Sequence, residues 1–368
     1  MKLFIAGFLL FLLAACQGQE TGRDKKPENT DGRLKYAVNF KLIPHGDYTE
    51  LQILDPEKGR IEQKYALVNR NKHVTFPQDL VKIEVPVKSV IALSGTHIGM
   101  IEKLHCADRI SGISSKNYVA NKTVLKGYAA GKVLEFDDFG QLNPESVLKT
   151  PARIIVYSGF GKTPQNEDKL SKLGILCLPD YDWRETHPLG KAEWIKLFGY
   201  LFGKEKEASA YFAKVEQEYL QLKETVADLK DRPTVFSGSM IGDSWYMPAG
   251  ESYGAVLLKD ANADYTASHE KGTGSVSYSF EQVLKADQES IYWFNPGFST
   301  KAQLLSANAK YQYFEAFKDN NVYCYSHDMN GFWENSAIEP NHVLSDLIQV
   351  LHKGKVEKSK LYFYKQLK

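Results

Sequence analysis

From Lys204 to Lys230 the chain contains no Gly or Pro, and its apolar side chains fall at Ala208, Tyr211, Phe212, Val215, Tyr219, Leu222, Val226 and Leu229. The steps are threes and fours, the spacing that gathers side chains on one helix face. At 1.5 Å per residue this predicts a rod of roughly 35–40 Å. Asp231 and Pro233 end it. Such a rod exceeds a typical domain helix and is long enough to brace two lobes along one side. A coiled-coil dimerisation helix is the weaker reading, because the apolar seam is short and runs into another globular segment.

Ahead of the rod the pattern changes twice. Residues 34–88 are β-rich, with strands expected at Leu34–Leu42, Thr49–Leu54, Gln63–Val68 and Val81–Val85. Turn signals stand between them at His45-Gly46-Asp47 and Asp55-Pro56-Glu57-Lys58-Gly59. From Ser89 short apolar strands alternate with helices. Val90–Leu93, Ile110–Ile113, Lys132–Leu134, Arg153–Tyr157 and Ile175–Leu178 are the strands. Ile98–Leu104, Glu145–Lys149 and Asp168–Leu173 are the helices. This alternation is what a mostly parallel sheet covered by helices requires. Past the rod it resumes: strands at Thr234–Phe236, Ser290–Phe294 and Asn321–Cys324, helices at Ala255–Lys259, Ser279–Lys285, Ala309–Phe317 and Pro340–His352.

The two halves share a short repeat. Glu145-Ser146-Val147-Leu148-Lys149 precedes the strand Arg153–Tyr157, and Glu281-Gln282-Val283-Leu284-Lys285 precedes Ser290–Phe294. Both place a carboxylate in the first turn of a helix. The helix dipole favours an acid there, so a capping role is the plainer explanation.

The N-terminus has the layout of an export signal. Lys2 is followed by an apolar run from Leu3 to Ala15 and by Leu13-Ala14-Ala15-Cys16. That ending resembles the bacterial lipobox, with Cys16 lipidated after cleavage. Residues 1–15 are thus expected to leave as a signal peptide. Residues 16–33 are polar and aperiodic, with Gly, Pro, Asn and charges, and are expected to form a flexible tether. The chain has 46 basic and 45 acidic residues, and loss of Lys2 evens the two. That balance gives no sign of nucleic-acid binding. Cys106, Cys177 and Cys324 are far apart and lack metal or redox spacing, so they are expected to be small buried hydrophobes.

Catalytic motifs fail on inspection. Gly159-Phe160-Gly161-Lys162-Thr163 ends like a phosphate-binding loop, but Val156 stands where its first glycine is needed. In Gly238-Ser239-Met240-Ile241-Gly242 the serine is one place early for a nucleophile elbow. The nine histidines form no local pair of metal-ligand spacing. What the chain offers instead is aromatic and polar side chains at predicted strand ends and loops: His97, Tyr118, Phe160, Trp183, Arg184, Trp245, Tyr246, Phe298, His327 and Trp333. Ligands of open α/β sheets sit beyond the carboxyl ends of strands. Two facing lobes would bring these loops together around a bulky, flat or partly apolar ligand. Packing between loops is the alternative for any one of them.

Four stretches then carry a resemblance: Ile91-Ala92-Leu93-Ser94-Gly95-Thr96-His97-Ile98-Gly99-Met100, His187-Pro188-Leu189-Gly190-Lys191-Ala192-Glu193-Trp194-Ile195-Lys196, Gly242-Asp243-Ser244-Trp245-Tyr246-Met247-Pro248 and Asn330-Gly331-Phe332-Trp333-Glu334-Asn335. Together they resemble the periplasmic binding proteins of the vitamin B12, siderophore and haem importers, closest to a lipoprotein branch of Bacteroidetes. The likeness runs from about residue 34 to the end. It departs from that branch at Ser94-Gly95-Thr96 and Tyr181-Asp182-Trp183-Arg184, where ligand contacts are expected.

The resemblance implies an α/β protein of two Rossmann-like lobes joined by one long backbone helix, with a small N-terminal β-rich module. The expected boundaries are 34–88 for the module, 89–203 for the first lobe, 204–230 for the helix and 231–368 for the second lobe. It implies a monomeric, lipid-anchored periplasmic solute-binding component, without enzymatic activity, resident cofactor or metal. Such a protein captures a metal chelate (ferric siderophore, haem or cobamide) and delivers it to a permease and ATPase complex. One exposed acid per lobe meets the permease in that family, and the matching positions are Glu145 and Glu281. A lipid-anchored enzyme acting on a chelate, and a surface scavenger serving an outer-membrane receptor, are the alternatives.

Overall fold

The computed structural model describes residues 34–136, 142–159, 164–326 and 328–368. The signal peptide, the tether with Cys16, and the candidate residues Phe160 and His327 lie outside the described residues.

The N-terminal module is a four-stranded sheet of β1 (Phe40–Pro44), β2 (Tyr48–Leu54), β3 (Ile61–Asn69) and β4 (Val81–Val85). The first three strands form an antiparallel meander, and β4 joins β3 in parallel. Period-two patterning gives the sheet two apolar faces. Phe40, Leu42, Leu51, Ile53, Tyr65 and Leu67 enter the main core, while Ala66 and Val68 pack under Leu80. The first strand starts at Phe40, not at Leu34. The backbone N–H groups of Lys35, Tyr36 and Ala37 donate to the Glu193 carboxylate, and those of Val38 and Asn39 to Glu185. Both glutamates are buried. Residues 35–39 thus satisfy their donors on side chains, not on a ladder.

The first lobe is built on β5 (Val90–Ala92), β6 (Ile110–Ile113), β7 (Leu134–Glu135), β8 (Ile154–Ser158) and β9 (Leu176–Asp180). They pair in parallel in the order β7-β6-β5-β8-β9. The second lobe uses β10 (Thr234–Ser237), β13 (Asp264–Tyr265), β15 (Tyr292–Phe294), β16 (Val322–Tyr325) and β17 (Tyr364–Gln366), in the order β13-β10-β15-β16-β17. Only β17 runs antiparallel in this sheet. Inserted in this lobe is a three-stranded antiparallel sheet of β11 (Ser239–Ile241), β12 (Ser244–Pro248) and β14 (Ser275–Tyr278). Its tight turn needs Gly242 at φ +61°. The sequence pattern shows neither this sheet nor β17. The helix expected at Ala309–Phe317 is two short pieces, Ala309–Tyr313 and Glu315–Lys318, because Phe314 between them is extended.

The predicted rod is the helix Glu205–Ala227. Ala208, Phe212, Val215, Tyr219 and Val226 are its buried face, with Tyr211 and Leu222 packed beside them. Burying each large apolar side chain contributes roughly 1.5–3 kcal/mol. The helix packs on Ile195–Phe202 of the first lobe and on Pro340–Leu351 of the second. Polar bonds tie it to the second lobe as well: the Tyr219 hydroxyl donates to Asp260 Oδ2 at 2.7 Å, and Asn341 Nδ2 donates to Glu218 at 2.6 Å. Cys106, Cys177 and Cys324 are free and buried. Among the described residues no helix is long and apolar enough to cross a membrane.

A second contact joins the lobes away from the rod. The short helix Phe332–Asn335 of the second lobe lies on the helix Gly95–Lys103 of the first. The buried Glu334 carboxylate accepts from the backbone N–H groups of Ala120 (2.7 Å) and Asn121 (3.1 Å). Beside it, Glu339 accepts from Lys103 Nζ at 2.6 Å and from the Tyr211 hydroxyl at 3.0 Å.

Candidate functional site: the cleft between the lobes

A cavity of about 490 Å³ opens between the lobes, within the range of about 300–1,000 Å³ usual for small-molecule sites. From the first lobe come Thr96, at the end of β5, and Trp183, Arg184 and Lys191, which follow β9. From the second come Ser237, Asn295 and Tyr325 at the ends of β10, β15 and β16, with Tyr364 on β17 and Trp333 on the Phe332–Asn335 helix. Strand carboxyl ends therefore face the cavity from both sides, where open α/β sheets bind ligands.

The aromatic walls are held by specific contacts. Trp183 Nε1 donates to the Gly159 carbonyl at 3.1 Å, leaving the indole partly exposed. Tyr325 stacks on Phe332 with centroids 3.9 Å apart, and the Trp333 ring meets Tyr325 edge-on at 5.3 Å. Arg184 lies over the Trp183 ring at 5.1 Å, and Lys191 lies over Tyr253 of the opposite lobe at the same distance. These are cation–π separations.

Beneath the first-lobe wall sits a polar cluster. His97, Asp180 and Asp182 are buried, and His97 Nε2 stands 3.5 Å from Asp180 Oδ2. Among the described residues, Asp180 Oδ2 and Asp182 Oδ2 lack hydrogen-bond partners, and the imidazole has at most a weak one at the Val156 backbone. Desolvation pushes the imidazole pKa down from 6.5 to about 4, so the ring is neutral. Desolvation, and next the charge of Asp182, drive the Asp180 carboxyl well above the usual range. Among the described residues no three His, Cys, Asp or Glu side chains are placed to hold a metal ion.

Of the candidates read from sequence, the cavity brings together Trp183, Arg184 and Trp333. His97 belongs to the buried cluster behind it, because its side chain points into the packing of its own lobe against Phe198. Tyr118 is exposed on a surface turn, and it does not line the cavity. Trp245 is a core residue: its ring packs among Phe236, Trp293, Tyr311 and Phe314 and its indole N–H donates to the Ser237 carbonyl. Tyr246 alternates to the solvent face of the same strand. Phe298 lines a separate shallow depression with Gly297, Ser299 and Ala302. Sequence reasoning missed Lys191, Tyr253, Asn295, Tyr325 and Tyr364. Of these only Lys191 carried a local sign, three residues past the Pro that starts its helix.

The two acids of the repeat are both exposed, in the first turns of the helices Pro144–Leu148 and Phe280–Asp287. Asn143 caps the first, and a Ser279–Gln282 capping box closes the second. The helix ends are satisfied by those caps, so neither glutamate is needed for it. Glu281 keeps one exposed partner, Lys310, at 3.7 Å, a pairing worth little.

A family model described as "Periplasmic binding protein" matches residues 90–328. An uncharacterized lipoprotein of Methanocaldococcus jannaschii is 27% identical over 364 residues, covering 90% of this chain and 84% of its own. A periplasmic binding protein from Veillonella parvula is similar in structure with a TM-score of 0.61 at 14% identity, over 84% of this chain and 100% of that one. A periplasmic heme binding protein from Pseudomonas aeruginosa gives 0.60 at 15% identity, over 77% and 98%. At these identities the structural likeness establishes the two-lobe fold.

Proposed function

Because this chain belongs to the periplasmic binding protein family, we propose that it is the monomeric, lipid-anchored solute-binding component of an ABC importer, capturing a metal chelate outside the cytoplasmic membrane and passing it unchanged to the permease. The observation that carries this reading is the cavity walled by Trp183 from one lobe and Trp333 and Tyr325 from the other. Broad aromatic faces suit a flat or bulky guest. A haem binder among the structural neighbours supports a guest of that kind. The anchor rests on Cys16 and on the lipoprotein description of the archaeal relative, and the likeness to the Bacteroidetes branch belongs to the same proposal.

Transfer would use Glu145 and Glu281, one exposed acid on each lobe, against cationic side chains of the permease. The test is native mass spectrometry and an absorbance spectrum on the protein purified from its own organism. A bound, unmodified chelate with its characteristic absorbance supports the reading. Conversion of an added chelate to a product, followed by mass spectrometry, would overturn it in favour of an enzyme.

A further inference from the structure

The two sides of the cavity are chemically unlike, and this difference specifies the guest. The inference rests on the capture reading above. On the first-lobe side stand two cations, Arg184 and Lys191. The Lys191 ammonium has a ring of the opposite lobe under it, and among the described residues no carboxylate stands within ion-pair distance of it, although its charge is felt at Asp180. The Arg184 guanidinium has one carboxylate, Glu57, at 3.8 Å, and that side chain is 75% exposed, so the pair is screened by solvent. Glu185 also borders the cavity. Its carboxylate is occupied with the N–H groups of Val38 and Asn39 and the indole of Trp194. The Asp180–Asp182 pair is buried in the first lobe, and the Lys191 charge acts on the Asp180 carboxyl, whose pKa desolvation nevertheless drives well above the usual range. On the second-lobe side the lining carries no cation or carboxylate among the described residues. There Asn295 gives its amide N–H to the Tyr364 hydroxyl at 3.2 Å, and its amide oxygen is buried without a partner.

A half-buried ammonium without a direct ion pair and a buried amide oxygen without a donor are both costly until a ligand completes them. We infer that the captured solute is an anion held with its negative groups against Arg184 and Lys191 and with a polar group opposite Asn295. The chelate thus enters in one orientation, charged end toward the first lobe, with its flat or apolar part between Trp183 and Trp333.

Two matched pairs of probes test this on the full chain in detergent, read by quenching of tryptophan fluorescence. One pair is haemin and its dimethyl ester. The other is a triply anionic ferric tris-catecholate and a neutral ferric tris-hydroxamate. The anionic member of at least one pair should bind at least tenfold more tightly than its neutral partner, and added salt should weaken it. Arg184→Gln and Lys191→Gln should each lower that affinity about tenfold and leave the neutral member unchanged, with unaltered melting temperatures showing that both variants are folded. Equal or tighter binding of the neutral members, or full anion affinity in both variants, overturns the inference while capture stands. Failure of all four probes to bind overturns the chelate reading and this inference with it.

Discussion

Gly99 and Glu334 meet backbone to backbone across the lobes: a methyl group added at Gly99 would stand 1.9 Å from the Glu334 carbonyl oxygen. No side chain other than hydrogen fits there without moving one lobe. Gly99→Ala should therefore destabilise the protein by roughly 1–3 kcal/mol, as overpacking does, and should weaken ligand binding by spreading the cleft. Urea unfolding and a binding titration check it, and an unchanged midpoint would mean that the lobes do not touch at this point.

The Glu334 carboxylate holds the same contact by a different means. Glu334→Ala leaves the N–H groups of Ala120 and Asn121 without an acceptor, a loss of about 1–3 kcal/mol. Glu334→Gln keeps an acceptor and should recover most of it. Amide hydrogen exchange at residues 120 and 121 should accelerate in the alanine variant alone.

His97 makes stability depend on pH in a defined window. Its imidazole titrates at about 4 when folded and near 6.5 when unfolded. The unfolded chain takes up the proton first. The stability contributed by the neutral ring is therefore full above pH 6.5 and is lost as pH falls toward 4. Across that window each step of one in pH removes about 1.4 kcal/mol, roughly 3 kcal/mol in all. Asp180 works oppositely, because its raised pKa means that the folded state keeps its proton and gains stability as pH falls. Comparing the native chain with His97→Gln separates the two. The variant should be less stable at pH 7 and should close that gap by pH 4, and a gap independent of pH would show that the His97 imidazole titrates alike in the folded and unfolded chains.

Docking should separate from capture. Glu145→Ala combined with Glu281→Ala should leave chelate affinity within about twofold, since both side chains lie on exposed helix ends away from the cavity. Binding to the permease in detergent or nanodiscs should fall at least tenfold, the scale of losing charge pairs across an interface. Equal docking by the double variant would remove both residues from that role.

Trp183→Ala and Trp333→Ala each remove one aromatic wall. Each should weaken chelate binding by about 1–3 kcal/mol, the usual worth of a well-placed aromatic contact at a hot spot, with little change in melting temperature because both rings are over a third exposed. Tyr118→Ala is the control, exposed and outside the cavity, and should change nothing.

How much of this was legible in the chain follows from the range of each signal. The rod and its buried face could be read because helical periodicity is local: the eight apolar positions named from Ala208 to Leu229 are all buried or packed on the core. The paired acids were equally local, each next to a cap. The cavity was legible only in part. Trp183 and Trp333 follow strands that end at the cleft. Trp245 and Tyr246 sit on a hairpin whose alternation sends one ring into the core and the other to solvent, and no neighbour in sequence reveals that hairpin's direction. Tyr364 reaches the cavity from an antiparallel last strand of three residues, too short to leave a period. Asn295 lies at φ +57° just after β15, a conformation set by tertiary placement. The missing start of the first strand has the same origin, since its donors are met by glutamates some 150 residues away.

That arrangement at residues 35–39 has a mechanical side. The backbone just ahead of β1 is clipped to Glu193 and Glu185, and these two residues flank the stretch that carries Lys191, with Arg184 next to Glu185. A displacement of residues 35–39 would therefore reach the segment that carries both cations of the cavity wall.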